Sequence, residues 1–182
     1  MDPDILLKSF VALITEKDLE GPVLDLACGR GQNGLFLAGL GLPVVLADRN
    51  PEALRMAKEA AKRKGRQVTY WEIDLETGQN SLKEDQYRAM VVFRYLHRPL
   101  IPFIKKAIKG GGILIYETYT SQQTLYSRPH NPDHLLEPRE LFDWFKDWEV
   151  VHYFEGTLEH PRRSVAQLVC RKPFHFPVVR KI

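Results

Sequence analysis

The stretch Val23-Leu24-Asp25-Leu26-Ala27-Cys28-Gly29-Arg30-Gly31-Gln32-Asn33-Gly34 decides how the rest of this chain is read. A short apolar run, Pro22 to Ala27, ends in Cys28-Gly29, as a strand buried on both faces of a parallel sheet does. Glycines follow at 29, 31 and 34, where a chain turning off a strand must turn tightly and let a ligand approach its backbone. Gly31 to Leu40 is apolar nearly all round, the pattern of a buried helix, and Gly41 is placed to stop it.

Outward from this unit, strand and helix patterns alternate. Pro43 to Ala47 reads as a second buried strand. Asn50 caps a helix with Pro51 at its first position, Gly65 just past its end, and Leu54, Ala57 and Ala61 as its apolar stripe. Val68 to Ile73 and Ala89 to Phe93 give strands three and four, and Pro99 to Ile108 a helix. Gly110-Gly111-Gly112 separates that helix from a fifth strand, Ile113 to Tyr116. Thr118 to Glu137 carries prolines and many polar groups and predicts a long loop over the sheet, of a length that suits a lid. Arg139 to Phe145 reads as helix. Glu149 to Phe154 and Ser164 to Cys170 read as strands joined by a turn around His160-Pro161. The expectation is an α/β, Rossmann-like fold in one domain, residues 1–182. Its open, mostly parallel sheet has five strands joined by helical crossovers and ends in an antiparallel hairpin.

Composition narrows the partners. With 182 residues, 44% hydrophobic and 27% charged, the chain reads as an ordinary globular protein. A net charge of +3, from 26 basic and 23 acidic residues, is too mild for a dedicated nucleic-acid binder. Met1-Asp2-Pro3-Asp4 is acidic where a targeting signal is basic, and the following apolar stretch, broken by Lys8, stops near Ile14, far short of a membrane span. The cytosol is the expected compartment, with no membrane partner. Cys28 and Cys170 form no C-x-x-C pair, so neither a disulfide framework nor a cysteine-rich zinc site is expected. Oligomeric state is not written in the pattern.

Gly29-x-Gly31-x-x-Gly34 by itself also fits a nicotinamide dinucleotide. Three acids separate the readings. Asp25 lies inside the first strand, where a carboxylate favours a cofactor bearing an ammonium and a sulfonium over a pyrophosphate; the alternative is that it caps the turn. Asp48 ends the second strand and can accept two ribose hydroxyls. Asp74 ends the third, where it can accept an adenine amino group or cap the following loop.

On these residues the chain resembles class I S-adenosylmethionine-dependent methyltransferases over nearly its whole length. Their D-x-x-C-G-x-G motif corresponds to Asp25 to Gly31, and Asp48 and Asp74 match the acids the family uses for ribose and adenine. Tyr95-Leu96-His97-Arg98-Pro99 resembles the leucine-histidine segment of tellurite-resistance-type and related small-molecule methyltransferases. The resemblance implies S-adenosylmethionine as cofactor, held by Asp25, Cys28, Gly29, Gly31, Asp48, Arg49, Asp74, Leu75 and Phe93, with S-adenosylhomocysteine as product. Cys28 reads as a small packing residue, since no base is placed beside it in sequence.

Methyl transfer from a sulfonium is a direct displacement, so alignment and exclusion of water carry much of it. A base is needed only where the acceptor must lose a proton. His97 is the candidate base, with Tyr95 to position the acceptor; the alternative is that His97 caps the helix starting at Pro99. Arg94, Arg98, Tyr119, Arg128 and His130 are the candidate acceptor-binding residues, suited to an anion, against the alternative of a solvated basic rim. His130-x-x-x-His134 has a zinc-like spacing, but Pro132 interrupts it and no thiolates accompany it, so no metal is expected. Phe93-Arg94-Tyr95-Leu96 stands where amino-group methyltransferases carry Asn/Asp-Pro-Pro-aromatic, which disfavours nucleic acid. The expected function is methyl transfer to a small molecule. The competing readings are an RNA or protein methyltransferase using Arg128, Arg162 and Arg163 as a rim, a non-catalytic cofactor-binding module, and a nicotinamide-dependent oxidoreductase.

Overall fold

The apolar runs become the strands of a single seven-stranded sheet in the computed structural model, which describes residues 2–77 and 82–174. In chain order the strands are β1 (Val23–Leu26), β2 (Val44–Asp48), β3 (Thr69–Glu72), β4 (Tyr87–Phe93), β5 (Ile108–Tyr119), β6 (Glu149–Glu159) and β7 (Arg162–Arg171). Across the sheet they run β3-β2-β1-β4-β5-β7-β6. The first five are parallel, and β7 pairs antiparallel with both β5 and β6. β1 and β4 are buried at every position because they lie mid-sheet with both faces covered.

Side chains alternate between two cores, as strand geometry requires. On one face Val23, Val91 and Ile115 pack against α1 (Ile5–Ile14), α2 (Gln32–Gly39) and α3 (Pro51–Lys64). On the other, Leu24, Val92 and Tyr116 pack against α4 (Ile101–Ala107) and α5 (Glu140–Phe145). α3 starts where Asn50 accepts the Glu52 and Ala53 amides at 3.0 and 3.2 Å, and stops at left-handed Gly65.

Several elements depart from the sequence reading. Ile5–Ile14 is a helix, capped by Asp4, where only an apolar stretch was expected. The triple glycine does not separate a helix from β5 but lies within that strand. Gly111 donates to the Lys172 carbonyl and Gly112 accepts from the Lys172 amide, which carries the pairing through. Gly111 takes a positive φ of 78°, which favours glycine, and a Cβ on Gly112 would stand 2.8 Å from the Arg88 carbonyl. The helix expected from Pro99 is a 3-10 turn, Arg98–Leu100, followed by α4. Between β3 and β4 the described residues form turns, not a crossover helix, because the Asp74 carboxylate takes the Glu76 amide at 2.9 Å and Thr77 Oγ1 donates to the Asp74 carbonyl at 3.1 Å. β6 and β7 outrun the expected hairpin, their pairing extending to Glu159 opposite Arg162. Within the expected loop, Thr118 and Tyr119 continue β5, and 3-10 turns form at Ser121–Leu125 and Pro132–His134. Among the described residues no helix is long and apolar enough to cross a membrane.

Candidate functional site

The glycine loop is tied down by two carboxylates. Ala27, Gly29 and Gly31 all take positive φ (53°, 53° and 72°), and where Gly29 would carry a Cβ there is open space. Asp48, at the end of β2, accepts the Gly29 amide at 2.7 Å and the Asn50 amide at 2.9 Å. A carboxylate has about four lone-pair directions. Asp48 therefore anchors the loop and the start of α3 and retains acceptor capacity.

Asp25 works from beneath. It is 2% exposed, and Oδ2 accepts the Gly34 amide at 2.7 Å. Burial pushes its carboxyl up to about 7; the Gly34 bond pulls it down, and nearby Asp48 pushes it up further. Asp25 thus braces α2 against β1, which is the turn-capping alternative. The Cys28 thiol is raised far above its ordinary range by burial and by Asp25 and Asp48, as suits a packing residue.

Above the carboxyl ends of the strands lies a cavity of about 780 Å³, within the roughly 300–1,000 Å³ of small-molecule sites. Leu26, Ala27 and Ala47 form its apolar floor, and Asp48, Arg49, Asp74, Leu75 and Glu76 one wall. Arg94, Tyr95 and Leu96 enter from the end of β4. Tyr119, Arg128, His130, Asn131 and His134 close the far side. Arg49 pairs with Glu76 at 2.8 Å. Burial, with Glu76 beside it, raises the Tyr95 phenol well above its usual range, so at neutral pH it remains a hydrogen-bond donor. Arg94 sits in the left-handed region (φ 57°) and pairs at 2.8 Å with Asp4, whose amide donates to Asn33 at 2.8 Å. The N-terminus of α1 is thereby pinned beside the cavity.

The structure brings Asp48, Arg49, Asp74, Leu75, Arg94, Tyr95, Tyr119, Arg128 and His130 onto one cavity surface. It leaves Asp25, Cys28, Gly29, Gly31, Phe93, His97 and Arg98 off that surface. Phe93 is buried in the core. His97 flanks the 3-10 turn through its carbonyl, which accepts the Leu100 amide; its side chain neither lines the cavity nor caps the turn. Arg98 is spent on a fork to Glu140, at 2.7 and 2.9 Å, and on the Asp133 and Leu135 carbonyls. The rim arginines are engaged too: Arg162 lies over the Tyr126 ring near Glu159, and Arg163 reaches buried Glu117 at 3.3 Å. Asn131 and His134 fall within the loop from Ser127 to His134, which the sequence places at the acceptor mouth without singling them out as acceptor residues. Glu76, which follows directly on Asp74-Leu75, is not anticipated. Among the described residues no group of three His, Cys, Asp or Glu side chains could hold a metal.

Residues 12–166 match the protein family described as tellurite resistance protein TehB. A protein of Haemophilus influenzae named probable S-adenosyl-L-methionine-dependent methyltransferase TehB is 29% identical over 142 residues, covering 75% of this chain and 49% of that protein. The ubiquinone biosynthesis O-methyltransferase of Glaesserella parasuis is 26% identical, covering 75% of this chain and 70% of its own length. This chain spans about half the length of the first curated relatives it matches. The crystal structure of TehB from H. influenzae superposes with a TM-score of 0.68 at 22% identity, covering 93% of this chain and 66% of that one. A Methanosarcina mazei S-adenosylmethionine-dependent methyltransferase superposes at 0.72 and 17% identity, covering 96% of this chain and all of that one. The fold is the Rossmann-like methyltransferase fold, and the chain belongs to the TehB family of tellurite resistance proteins.

Proposed function

We propose that this chain is an S-adenosylmethionine-dependent methyltransferase acting on a small, anionic molecule. The observation that carries the reading is the cavity at the carboxyl edge of the sheet. Its wall holds Asp48 and Asp74, and the glycine loop is tied to Asp48 through the Gly29 amide. The residues suit the cofactor: Asp48 retains acceptor capacity for ribose hydroxyls, Asp74 for an adenine amino group, and the open space where Gly29 would carry a Cβ lets a ligand come close to the backbone. The cofactor supplies an electrophilic methyl group on its sulfonium. The chain's own part is alignment and exclusion of water, by Leu26, Ala27 and Leu96 on the apolar side and by Tyr95 as donor. The names carried by the H. influenzae and G. parasuis relatives support the same reaction class.

Charge bookkeeping at the mouth favours a small anion. Arg49, Arg94 and Arg98 are paired with Glu76, Asp4 and Glu140, whereas Arg128 lines the cavity with no ion pair among the described residues. His130 and His134 stand on the same wall, so the candidate base moves from His97 to these two. A nucleic-acid rim finds little support, since Arg162 and Arg163 are engaged by Glu159 and Glu117.

The test is transfer from methyl-labelled S-adenosylmethionine into a cell extract divided into small-molecule and macromolecule fractions, with Asp48→Ala as control. Label in the small-molecule fraction, absent with the variant, is the expected result. Label in RNA or protein overturns the acceptor assignment, and no transfer at all overturns the enzyme reading.

A further inference from the structure

The segment from Ser121 to Leu135 leaves the sheet after Thr120 and closes on itself at Leu136. Thr120 bridges to Leu136, the Leu136 amide donates to the Tyr119 carbonyl and the Ser121 amide to the Leu136 carbonyl, both at 2.9 Å. Such a loop, closed at its neck, can move as one body. It supplies Arg128, His130, Asn131 and His134 to the cavity, facing the wall that bears Asp48 and Asp74. Its tip has little apolar burial to hold it there: Arg128 to His134 are exposed apart from half-buried Pro129, and Leu125 is 75% exposed. Segments with few buried apolar contacts open at low cost unless polar ties restrain them.

Tyr126 reaches the β6–β7 hairpin, its hydroxyl 3.2 Å from Thr157 Oγ1 and its ring beneath Arg162. Two further side chains tie the loop, one acting on each half. Gln123 is 1% exposed and makes three bonds. Its Nε2 donates to Ser127 Oγ at 2.8 Å and to the Arg128 carbonyl at 3.2 Å, and its Oε1 accepts the Ser164 amide of β7 at 2.8 Å. Arg98, just after β4, grips the other half. It donates to the Leu135 carbonyl at 2.8 Å and the Asp133 carbonyl at 3.2 Å while forked onto Glu140. The fork geometry of a guanidinium is what allows four simultaneous bonds; an ammonium could not make them.

We propose that Arg98 and Gln123, neither of which reaches the cavity, are positioning residues that hold the 121–135 loop closed over the bound cofactor and so set how fast it leaves. The inference rests on the cofactor reading above. Opening the loop requires releasing these ties, and the loop they hold lines the cavity from which product must leave. In many enzymes such a step, and not the chemistry, limits turnover.

The experiment measures S-adenosylhomocysteine dissociation from the wild-type chain, Arg98→Ala, Arg98→Lys and Gln123→Ala. Hydrogen exchange is followed in the 121–135 amides beside those of β1. Lys105→Ala serves as control, because it removes comparable bonds, to the Trp144 carbonyl at 2.8 Å and Asp147 at 2.7 Å, between α4 and the end of α5. The expected result is dissociation about tenfold faster in all three loop variants, since changes at a binding surface act mainly on the off-rate. Exchange should rise in the loop and not in β1, Lys105→Ala should match wild type, and lysine at 98 should give no rescue. Gln123→Ala removes no charge and carries the test alone if Arg98→Ala does not fold. Unchanged dissociation in folded loop variants, or an equal effect from Lys105→Ala, overturns the inference while leaving the cofactor reading intact. Failure of the wild-type chain to bind S-adenosylhomocysteine overturns both.

Discussion

Replacing Gly34 with alanine puts a methyl group where there is no room for it. The new Cβ would stand 2.2 Å from Leu46 Cδ2, 3.0 Å from Asp25 Oδ2 and 3.1 Å from Val44 Cγ1. All three neighbours belong to buried residues of β1 and β2, so relief requires α2 to lift off the sheet. Overpacking of this kind costs about 1–3 kcal/mol. Against it stands the gain from exchanging a helical glycine for alanine, about 1 kcal/mol at most. Lifting α2 also stretches the buried Asp25–Gly34 bond, and hydrogen bonds to charged groups are worth about 1.5–3 kcal/mol. The net loss is about 2 kcal/mol, or roughly 4–8 °C in Tm for a domain of this size. Gly39→Ala is the matched control. It lies in the same helix, yet its nearest neighbours are atoms of the Arg66 guanidinium at 3.3–3.4 Å, the movable end of a long side chain. Thermal melts followed by circular dichroism, with S-adenosylhomocysteine affinity measured alongside, should show Gly34→Ala weakened in both and Gly39→Ala unchanged or slightly stabilised. A Gly34→Ala variant melting with wild type, or a Gly39→Ala variant losing as much, would refute the close-packing explanation.

The remaining predictions concern protons and anions at the site. Asp25 holds its proton more tightly in the folded chain, at about 7, than at its ordinary 3.8, so the stability it contributes is present at low pH and lost as pH climbs through about 7. Asp25→Asn should flatten that part of the stability–pH curve; an unchanged slope counts against a buried, proton-retaining Asp25. For the same reason a cationic cofactor should expel a proton on binding near pH 6.5, which calorimetry in buffers of different ionisation enthalpy would detect. Asp48→Asn has one acceptor oxygen for the Gly29 and Asn50 amides and should lower cofactor affinity about tenfold, in keeping with about 1.4 kcal/mol for one weakened bond; equal affinity would mean that Asp48 does not hold the loop. His97→Gln should leave methyl transfer within about twofold of wild type, whereas Arg128→Ala should raise the acceptor KM about tenfold. The opposite ranking would return the acceptor site to the residues after β4.

Local pattern was sufficient wherever the controlling interaction is itself local. The strands of the sheet's centre are legible because a strand covered on both faces is buried throughout and mostly apolar, as β1 and β4 are apart from Asp25 and Arg88. The bounds of α3 are legible because Asn50, Pro51 and Gly65 act on the adjacent turn. Asp48 and Asp74 are legible as cavity acids because the carboxyl end of a parallel strand opens onto the crevice whatever else the chain does. The triple glycine misled, since a positive φ at Gly111 and a close backbone approach at Gly112 call for glycine inside a strand whose pairing runs on.

What the tertiary structure alone decided is how each charged group is spent. Arg94, Arg98 and Arg128 look equivalent in sequence, yet partners 90 and 42 residues away, Asp4 and Glu140, neutralise the first two and leave Arg128 on the cavity wall. Asp25 looks like a ligand-facing acid, but period-2 alternation turns it under the glycine loop, where the Gly34 amide claims it. A hydrogen bond or ion pair depends on distances of about 3 Å between groups far apart along the chain, and neither spacing nor residue type encodes that distance. The amino-acid sequence by itself therefore determined the sheet, its glycine loop and the acids at its edge, because these follow from local periodicity. Which residues remain free to meet an acceptor was decided only by the folded chain, because that is a question of pairing in space.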